Sequence, residues 1–357
     1  MPPQIALTPG KTAFAGNDYL GLAGDPRLAD ALYEGARRHG VSSMSSRWAL
    51  GWTETHARLE SDLAAYFSAE DSCLLGATYL GGAVYFEVAR TRADTVYCDE
   101  TVHSNQYMGM KSAGFTIRKF KHLDVADLKR QLAAHSGPPP IVATDGVYGI
   151  SGEVAPLKEL HAAAKAHGAE LFIDDAHGVF ALGKSGRGAA EACGLQPDDA
   201  VILGSMSKAL GCNGGFLLGN RERVEQYRRS SHNSGASMPP PPISAACVKA
   251  VEIVRTEPNL RERMWAHATF MREAARAAGL GVVCPDSPIV ALVLKDEHEA
   301  AALAAHLATF GLVAPYFKYP SEPRHNLLRC AARTCYTKEL LERFKQALLT
   351  RPTLKII

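Results

Sequence analysis

Apolar residues are distributed along this chain in two alternating patterns. Short unbroken runs with polar or glycine borders read as buried strands: Cys73-Leu74-Leu75, Thr95 to Cys98, Gly114 to Phe120, Ile141 to Thr144, Leu171 to Ile173, Val201 to Leu203 and Gly214 to Gly219. Between them lie stretches with apolar residues at helical spacing. One runs from Arg27 to His39 and stops at Gly40; another opens on Thr53 as a capping residue. Further helices are expected from about Ala83, from Val125 to His135 behind the cap Asp124, and from Leu157 to His167. Strands separated by helices imply parallel pairing through right-handed crossovers, hence an α/β domain with a mostly parallel sheet of seven strands.

The pattern changes at Pro239-Pro240-Pro241-Pro242, because four prolines continue neither a helix nor a central strand. A long helical stretch is expected from Ile243 to about Ala278. The strand Ile289 to Leu294, a helix from Glu297 to Phe310 and the strand Asn326 to Ala331 then form a smaller α+β unit. At the other end, Thr12 to Leu22 is rich in Gly, Asn and Asp and reads as an extended arm. The expected division is an arm and helix over 1–46, a large domain over 47–240 and a small domain over 241–357.

Composition narrows the classes of function. The chain has 357 residues, 46% of them apolar, and 39 basic against 37 acidic side chains give a net charge of +2 without long runs. Such a balance does not recruit nucleic acid or a membrane surface. Eight cysteines form no Cys-x-x-Cys pair and mostly lie among apolar residues, as in reduced cytoplasmic proteins, so no metal site is expected. Met1-Pro2-Pro3-Gln4 lacks the charged start and apolar block of a secretion signal, and a cytoplasmic location is expected.

The candidate chemistry lies at strand ends. Asp174, Asp175 and His177 leave the carboxyl end of one predicted strand, and Ser205 and Lys208 leave that of the next. Ligands of open α/β sheets sit there. A lysine held near a carboxylate and an imidazole suits imine chemistry on pyridoxal phosphate. The turn Gly76-Ala77-Thr78-Tyr79-Leu80-Gly81-Gly82, between a strand and a helix, offers N–H groups and the Thr78 hydroxyl to a phosphate. His103 leaves a further strand. Singly, each has a plain reading: a helix cap for Asp174, packing for His177 and His103, a solvated surface lysine for Lys208.

Together these residues resemble the α-oxoamine synthases, pyridoxal-phosphate enzymes of fold type I. The likeness runs through Asn17-Asp18-Tyr19-Leu20-Gly21-Leu22, Gly51, Thr53, His56 and Leu59-Glu60, Asp99 with His103-Ser104, Phe120-Lys121-His122, Ala155-Pro156-Leu157, Asp174-Asp175-Ala176-His177, Gly186-Arg187-Gly188, Ser207-Lys208-Ala209 and Met238-Pro239-Pro240. The resemblance implies that Lys208 carries the cofactor and Asp174 bonds its pyridine nitrogen. It further implies that His177 bonds the phenolic oxygen and His103 stacks on the ring, with Thr78, Tyr79 and Ser205 at the phosphate. Arg329 would grip the substrate carboxylate, with Asn17 also at the substrate.

The implied reaction joins an amino acid to an acyl thioester, on coenzyme A or an acyl carrier protein, with loss of CO2, to give an α-amino ketone. The implied assembly is a homodimer with shared active sites, to which the arm around Asn17 crosses over. Gly149 and Ser151 depart from the family's usual serine and aspartate in that loop. They keep open a lyase or aldolase acting without thioester. An inactive partner subunit is the third reading, and such a subunit should lack Lys208.

Overall fold

A computed structural model describes residues 11–314, 316 and 326–351. Contacts divide the chain into two compact units: residues 21–148 with 154–258, and residues 1–20 with 149–153 and 259–357.

The larger unit is built on a seven-stranded sheet in the order 71–75, 215–219, 201–205, 170–174, 141–145, 95–99, 116–120. All neighbours pair parallel except Gly215–Gly219, which runs antiparallel to both Asp71–Leu75 and Val201–Ser205. The strand expected last in sequence is therefore inserted one place from the edge, and a short loop, not a helical crossover, joins it to Val201–Ser205. Under the sheet, Tyr85 from the helix Gly81–Ala89 stacks on Phe172 at 4.0 Å, and Phe86 meets the same ring edge-on at 5.3 Å. Those contacts bury a helix that is apolar on almost every side, which is why its pattern marks its start poorly.

Three expectations change. The helical stretch over 243–278 is two helices, Pro241–Thr256 and Asn259–Ala277, parted at Pro258. The proline run does not end before the helix: Pro241 and Pro242 occupy its first turn, where a missing N–H loses no intrahelical bond. That helix packs on Pro26–His39 and Glu54–Phe67, so the units divide at Pro258 and not near residue 241. The helix Ser104–Ser112 gave no apolar pattern, because its buried face is Asn105, Gln106, Gly109 and Met110.

Thr53 does cap its helix. Its N–H and hydroxyl meet His56 Nδ1 at 3.1 and 2.8 Å, and His56 Nε2 bonds the Pro239 carbonyl at 2.8 Å. One turn on, Glu60 is 4% exposed and accepts from Arg47 (2.7 and 3.0 Å), Arg228 (2.8 Å) and the Leu74 N–H (2.9 Å). Replacing it with alanine would strip the partly buried Arg47 of its carboxylate and leave the Leu74 N–H without its acceptor, while Arg228 would keep Asp71 and the Ser72 carbonyl. We expect Glu60→Ala to lower unfolding free energy by about 3–5 kcal/mol, measured by urea denaturation; a change inside about 0.5 kcal/mol would refute this role.

In the smaller unit Ile289–Leu294 lies antiparallel between Asn326–Ala331 and Gly281–Val282. At residues 12–19 the arm packs on the small unit of its own chain. Thr12–Ala13 pairs with Leu312–Val313, and Phe14 is fully buried against Tyr336 (4.5 Å) and Phe344 (5.0 Å). Gly, Asn and Asp recur along it, but its two aromatic residues, Phe14 and Tyr19, are both completely buried and anchor it within its own chain.

Candidate active site

Three neighbouring strands of the large sheet end in aspartate: Thr95–Asp99, Ile141–Asp145 and Glu170–Asp174. Their environments separate their roles. Asp99 is buried, which raises its pKa, but His122 Nδ1 at 2.8 Å and the N–H groups of Leu123 and Thr101 outweigh burial and hold it below the usual carboxylate range. It is a structural anchor. Asp145 lies in register beside Asp174. Burial, and then the neighbouring Asp174 charge, push it well above the usual range, although it accepts from the His103 N–H at 3.1 Å and from the Gln106 amide. Asp174 is 4% exposed; its Oδ2 accepts from Asn105 Nδ2 at 3.0 Å and its Oδ1 from the Ala176 N–H at 3.2 Å.

Asp175 points elsewhere, as alternation along an extended chain requires. Its Oδ2 accepts from the Ala189 N–H at 2.7 Å. A Cβ on Gly188, whose φ is +96°, would fall 2.0 Å from that oxygen, so the carboxyl needs glycine there. Burial pushes Asp175 up to about 8, against the N–H of Ala189 and the charge of Lys208. Between the ordinary carboxylate value of about 4 and about 8 the native state keeps a proton that the unfolded chain releases. Stability therefore falls across that window as pH rises. Asp175→Asn should flatten the decline of melting temperature with pH; equal slopes in variant and parent would show that Asp175 does not titrate this way.

Lys208 sits in the loop between Val201–Ser205 and Gly215–Gly219. Met206 N–H to Gly214 O (3.0 Å), Cys212 N–H to Met206 O (3.0 Å) and Gly211 N–H to Lys208 O (2.9 Å) close that loop on itself. The Lys208 charge acts on both Asp145 and Asp175. Thr78 Oγ1 lies 3.0 Å from the hydroxyl of Ser205 and 3.0 Å from the Gly214 carbonyl, and Ser205 Oγ is 2.9 Å from Ser207 Oγ. The first N–H groups of the turn Thr78–Leu80 have no acceptor within that turn and point from its start. His103 stands at the start of the helix Ser104–Ser112, with the exposed Tyr79 ring edge-on to it at 6.3 Å. His177, half-buried, follows Asp174 by three residues.

The large unit thus carries Lys208, Asp174, His177, His103, Thr78, Tyr79 and Ser205. Arg329 and Asn17 belong to the small unit, where they bond each other at 2.6 Å. Arg329 also donates to the carbonyls of Gly149 (2.6 Å) and Ala15 and approaches the Tyr19 hydroxyl at 3.4 Å. Gly149 therefore offers Arg329 a carbonyl. Sequence reasoning gave no weight to Asn105, Gln106 or Asp145; the signal available was that three of four successive strands end in aspartate.

This donor set fits pyridoxal phosphate. Hydroxyls and turn N–H groups suit a phosphate, a buried carboxylate suits a pyridinium, and an amine suits an aldehyde.

Comparison with known proteins agrees. The profile of the aminotransferase class I and II family matches residues 9–348. An 8-amino-7-oxononanoate synthase of Halorhodospira halophila is 35% identical over 343 residues, 94% of this chain and 85% of the relative. Another, of Symbiobacterium thermophilum, is 32% identical over 330 residues, 91% of this chain and 84% of the relative. Among solved structures, a Sphingomonas wittichii serine palmitoyltransferase superposes with a TM-score of 0.91 at 25% identity, covering 96% of this chain and 87% of that chain. One of S. paucimobilis with bound PLP and myriocin gives 0.89 at 28% identity, covering 94% and 87%.

The chain belongs to the aminotransferase class I and II family, with the fold of the pyridoxal-phosphate enzymes of fold type I. Within it, the chain is of the α-oxoamine synthase type, a PLP-dependent acyltransferase that condenses an amino acid with an acyl thioester and releases CO2.

Proposed function

We propose that the amino acid is alanine, that the acyl donor is a seven-carbon thioester with a terminal carboxylate, and that the product is 8-amino-7-oxononanoate. Carbon counting in the relatives' name supports this. The amine-bearing two-carbon end is alanine without its carboxyl group, and the other seven carbons are an ω-carboxyacyl unit. Alanine and thioester thus yield the amino ketone, CO2 and free thiol.

The observation that carries the reading is the buried Asp174 carboxylate at a strand end, with Lys208 on the loop after the next strand. Bound pyridoxal phosphate supplies an electron sink for the substrate α-carbon. Asp174 would keep the pyridine nitrogen protonated, His177 would bond the phenolic oxygen, and His103 would lie against the ring. Thr78, Tyr79 and Ser205 would hold the phosphate. Lys208 Nζ would hold the cofactor aldehyde until the amine of alanine replaces it, and the freed amine would take the α-proton of alanine. Arg329, oriented by Asn17, binds the substrate carboxylate, a task for which its planar fork suits it.

Alanine, glycine and serine are to be tested with dicarboxylic and fatty acyl thioesters, each on coenzyme A and on acyl carrier protein, reading free thiol and product mass. Thiol release with alanine and the ω-carboxyacyl donor is expected. Activity confined to serine and long fatty acyl groups would replace this substrate assignment, and aldehyde release without thioester would mark a lyase.

The active assembly in this proposal is a homodimer. Support comes from apolar side chains left exposed on the stretch 32–50: Leu32, Tyr33, Val41, Met44, Trp48 and Leu50. Such a concentration marks an association surface, and a second copy of this chain is the proposed occupant. Light scattering should show a dimer that Met44→Glu combined with Leu50→Glu converts to monomer; a monomeric parent protein would remove the proposal. Among the described residues no helix is long and apolar enough to cross a membrane.

A further inference from the structure

We propose that Asn105 is a positioning residue that ties Asp174 and His103 into one hydrogen-bonded unit before the cofactor arrives, a proposal that rests on the reading of those two side chains as cofactor ligands. Asn105 is the second residue of the helix Ser104–Ser112 and is 3% exposed. Its carboxamide is engaged at both ends. Nδ2 donates to Asp174 Oδ2 at 3.0 Å, and Oδ1 accepts from the Gln106 N–H at 2.7 Å and lies 2.8 Å from His103 Nδ1.

These partners leave the amide one orientation. A carboxylate only accepts and a backbone N–H only donates, so the oxygen must face His103. Two acceptors do not sit 2.8 Å apart, and His103 Nδ1 therefore carries the hydrogen. The Asn105 N–H also approaches Nδ1, at 3.3 Å. That longer contact would require a bare Nδ1, and the shorter contact to an oxygen already fixed by two other partners outweighs it. In the neutral ring Nε2 is then the unprotonated nitrogen, a tautomer set by its neighbour and not by the imidazole itself.

The consequence is order around the cofactor site. Among the described residues, Asp174 Oδ2 accepts from Asn105 and Oδ1 from Ala176, so the rotamer is held from both sides. A carboxylate oxygen can accept more than one hydrogen bond, so this does not saturate the group toward a ligand. Asp145 anchors the His103 backbone from beneath. The ionisable groups around this cluster are Asp145, Asp99, Asp175 and Lys208. Ligand geometry held by a supporting layer in this way does not have to be organised at the moment of binding.

The test uses the full chain with Asn105→Ala and Asn105→Asp, reading the nitrogen-15 shifts of the His103 ring without cofactor and the dissociation constant of pyridoxal phosphate. The parent protein should show hydrogen on Nδ1. Asn105→Ala should show exchange between tautomers and bind the cofactor about ten- to a hundredfold more weakly, the effect of one hydrogen bond to a buried charged group. Asn105→Asp, nearly the same shape, should keep hydrogen on Nδ1 because its oxygen still accepts from His103. It should nevertheless lose cofactor affinity, because its charge faces Asp174. A merely structural residue would not split the two readouts. Hydrogen on Nε2 in the parent, or an aspartate variant that loses both properties or neither, overturns the proposal, whether or not the alanine variant folds. Failure of the parent protein to bind pyridoxal phosphate would instead refute the cofactor reading, and the ring shifts would still decide the role of Asn105.

Discussion

Lys208→Ala should abolish condensation, lowering turnover by about 10⁴-fold or more, the upper end for loss of a positioned proton-transfer group. It should also remove the visible absorbance of the lysine-bound cofactor. The expectation follows from where the side chain stands. It projects from a loop closed by its own backbone bonds between two paired strands, and it is half-buried, not packed in the core. Removing it leaves the sheet intact, and the melting temperature should change by only a few degrees, in line with a substitution outside the core. What disappears is the amine proposed to hold the cofactor aldehyde and to take the α-proton. Lys208→Arg sharpens the test. It keeps a positive charge near Asp145 and Asp175 but supplies no deprotonatable amine, so it should be as inactive as the alanine variant. Turnover above about a tenth of the parent rate in either variant, well outside the range expected for loss of a general base, would show that another group does this chemistry.

Asp174→Ala should lower turnover by about 10³-fold, the upper range for removing a preorganised electrostatic partner, and weaken cofactor binding with it. Its neighbour provides the control. Asp175 is one residue away and equally acidic in composition, yet it is wholly buried, held by the Ala189 N–H and pushed up to about 8. At neutral pH Asp175 is largely protonated, and Asp175→Asn should keep most of the parent turnover. Comparable losses in the two variants would mean that the role assigned to Asp174 is shared along the strand end. A fully active Asp174→Ala protein would remove the pyridine-nitrogen partner from the mechanism altogether.

The strands ending in Asp145, Asp174 and Ser205 were legible because each is a buried run of period one, flanked by residues that cannot continue it. Lys208, Asp174 and His177 could be singled out because their residue types and spacing belong to one kind of chemistry, and the structure places all three in the large unit. The helix Ser104–Ser112 was not, since it turns Asn105 and Gln106 inward toward two carboxylates where a pattern of apolar positions records nothing. The arm misled for a related reason. Its turn-forming residues mask Phe14 and Tyr19, whose burial, with the pairing of Thr12–Ala13, holds it on the small unit.

Local chemistry written into the chain determined the alternation of strands and helices, the capping by Thr53, and the residue types able to serve a pyridoxal-phosphate acyltransferase. Those properties depend on neighbours a few positions away. Tertiary structure alone decided that Gly215–Gly219 runs antiparallel beside Val201–Ser205, that Asp145 stands next to Asp174, and that Asn105 reaches Asp174 across 69 positions of sequence. Strand order and the protonation of a buried carboxyl are set by groups distant in sequence, through desolvation and charge that exist only once the sheet has closed around them.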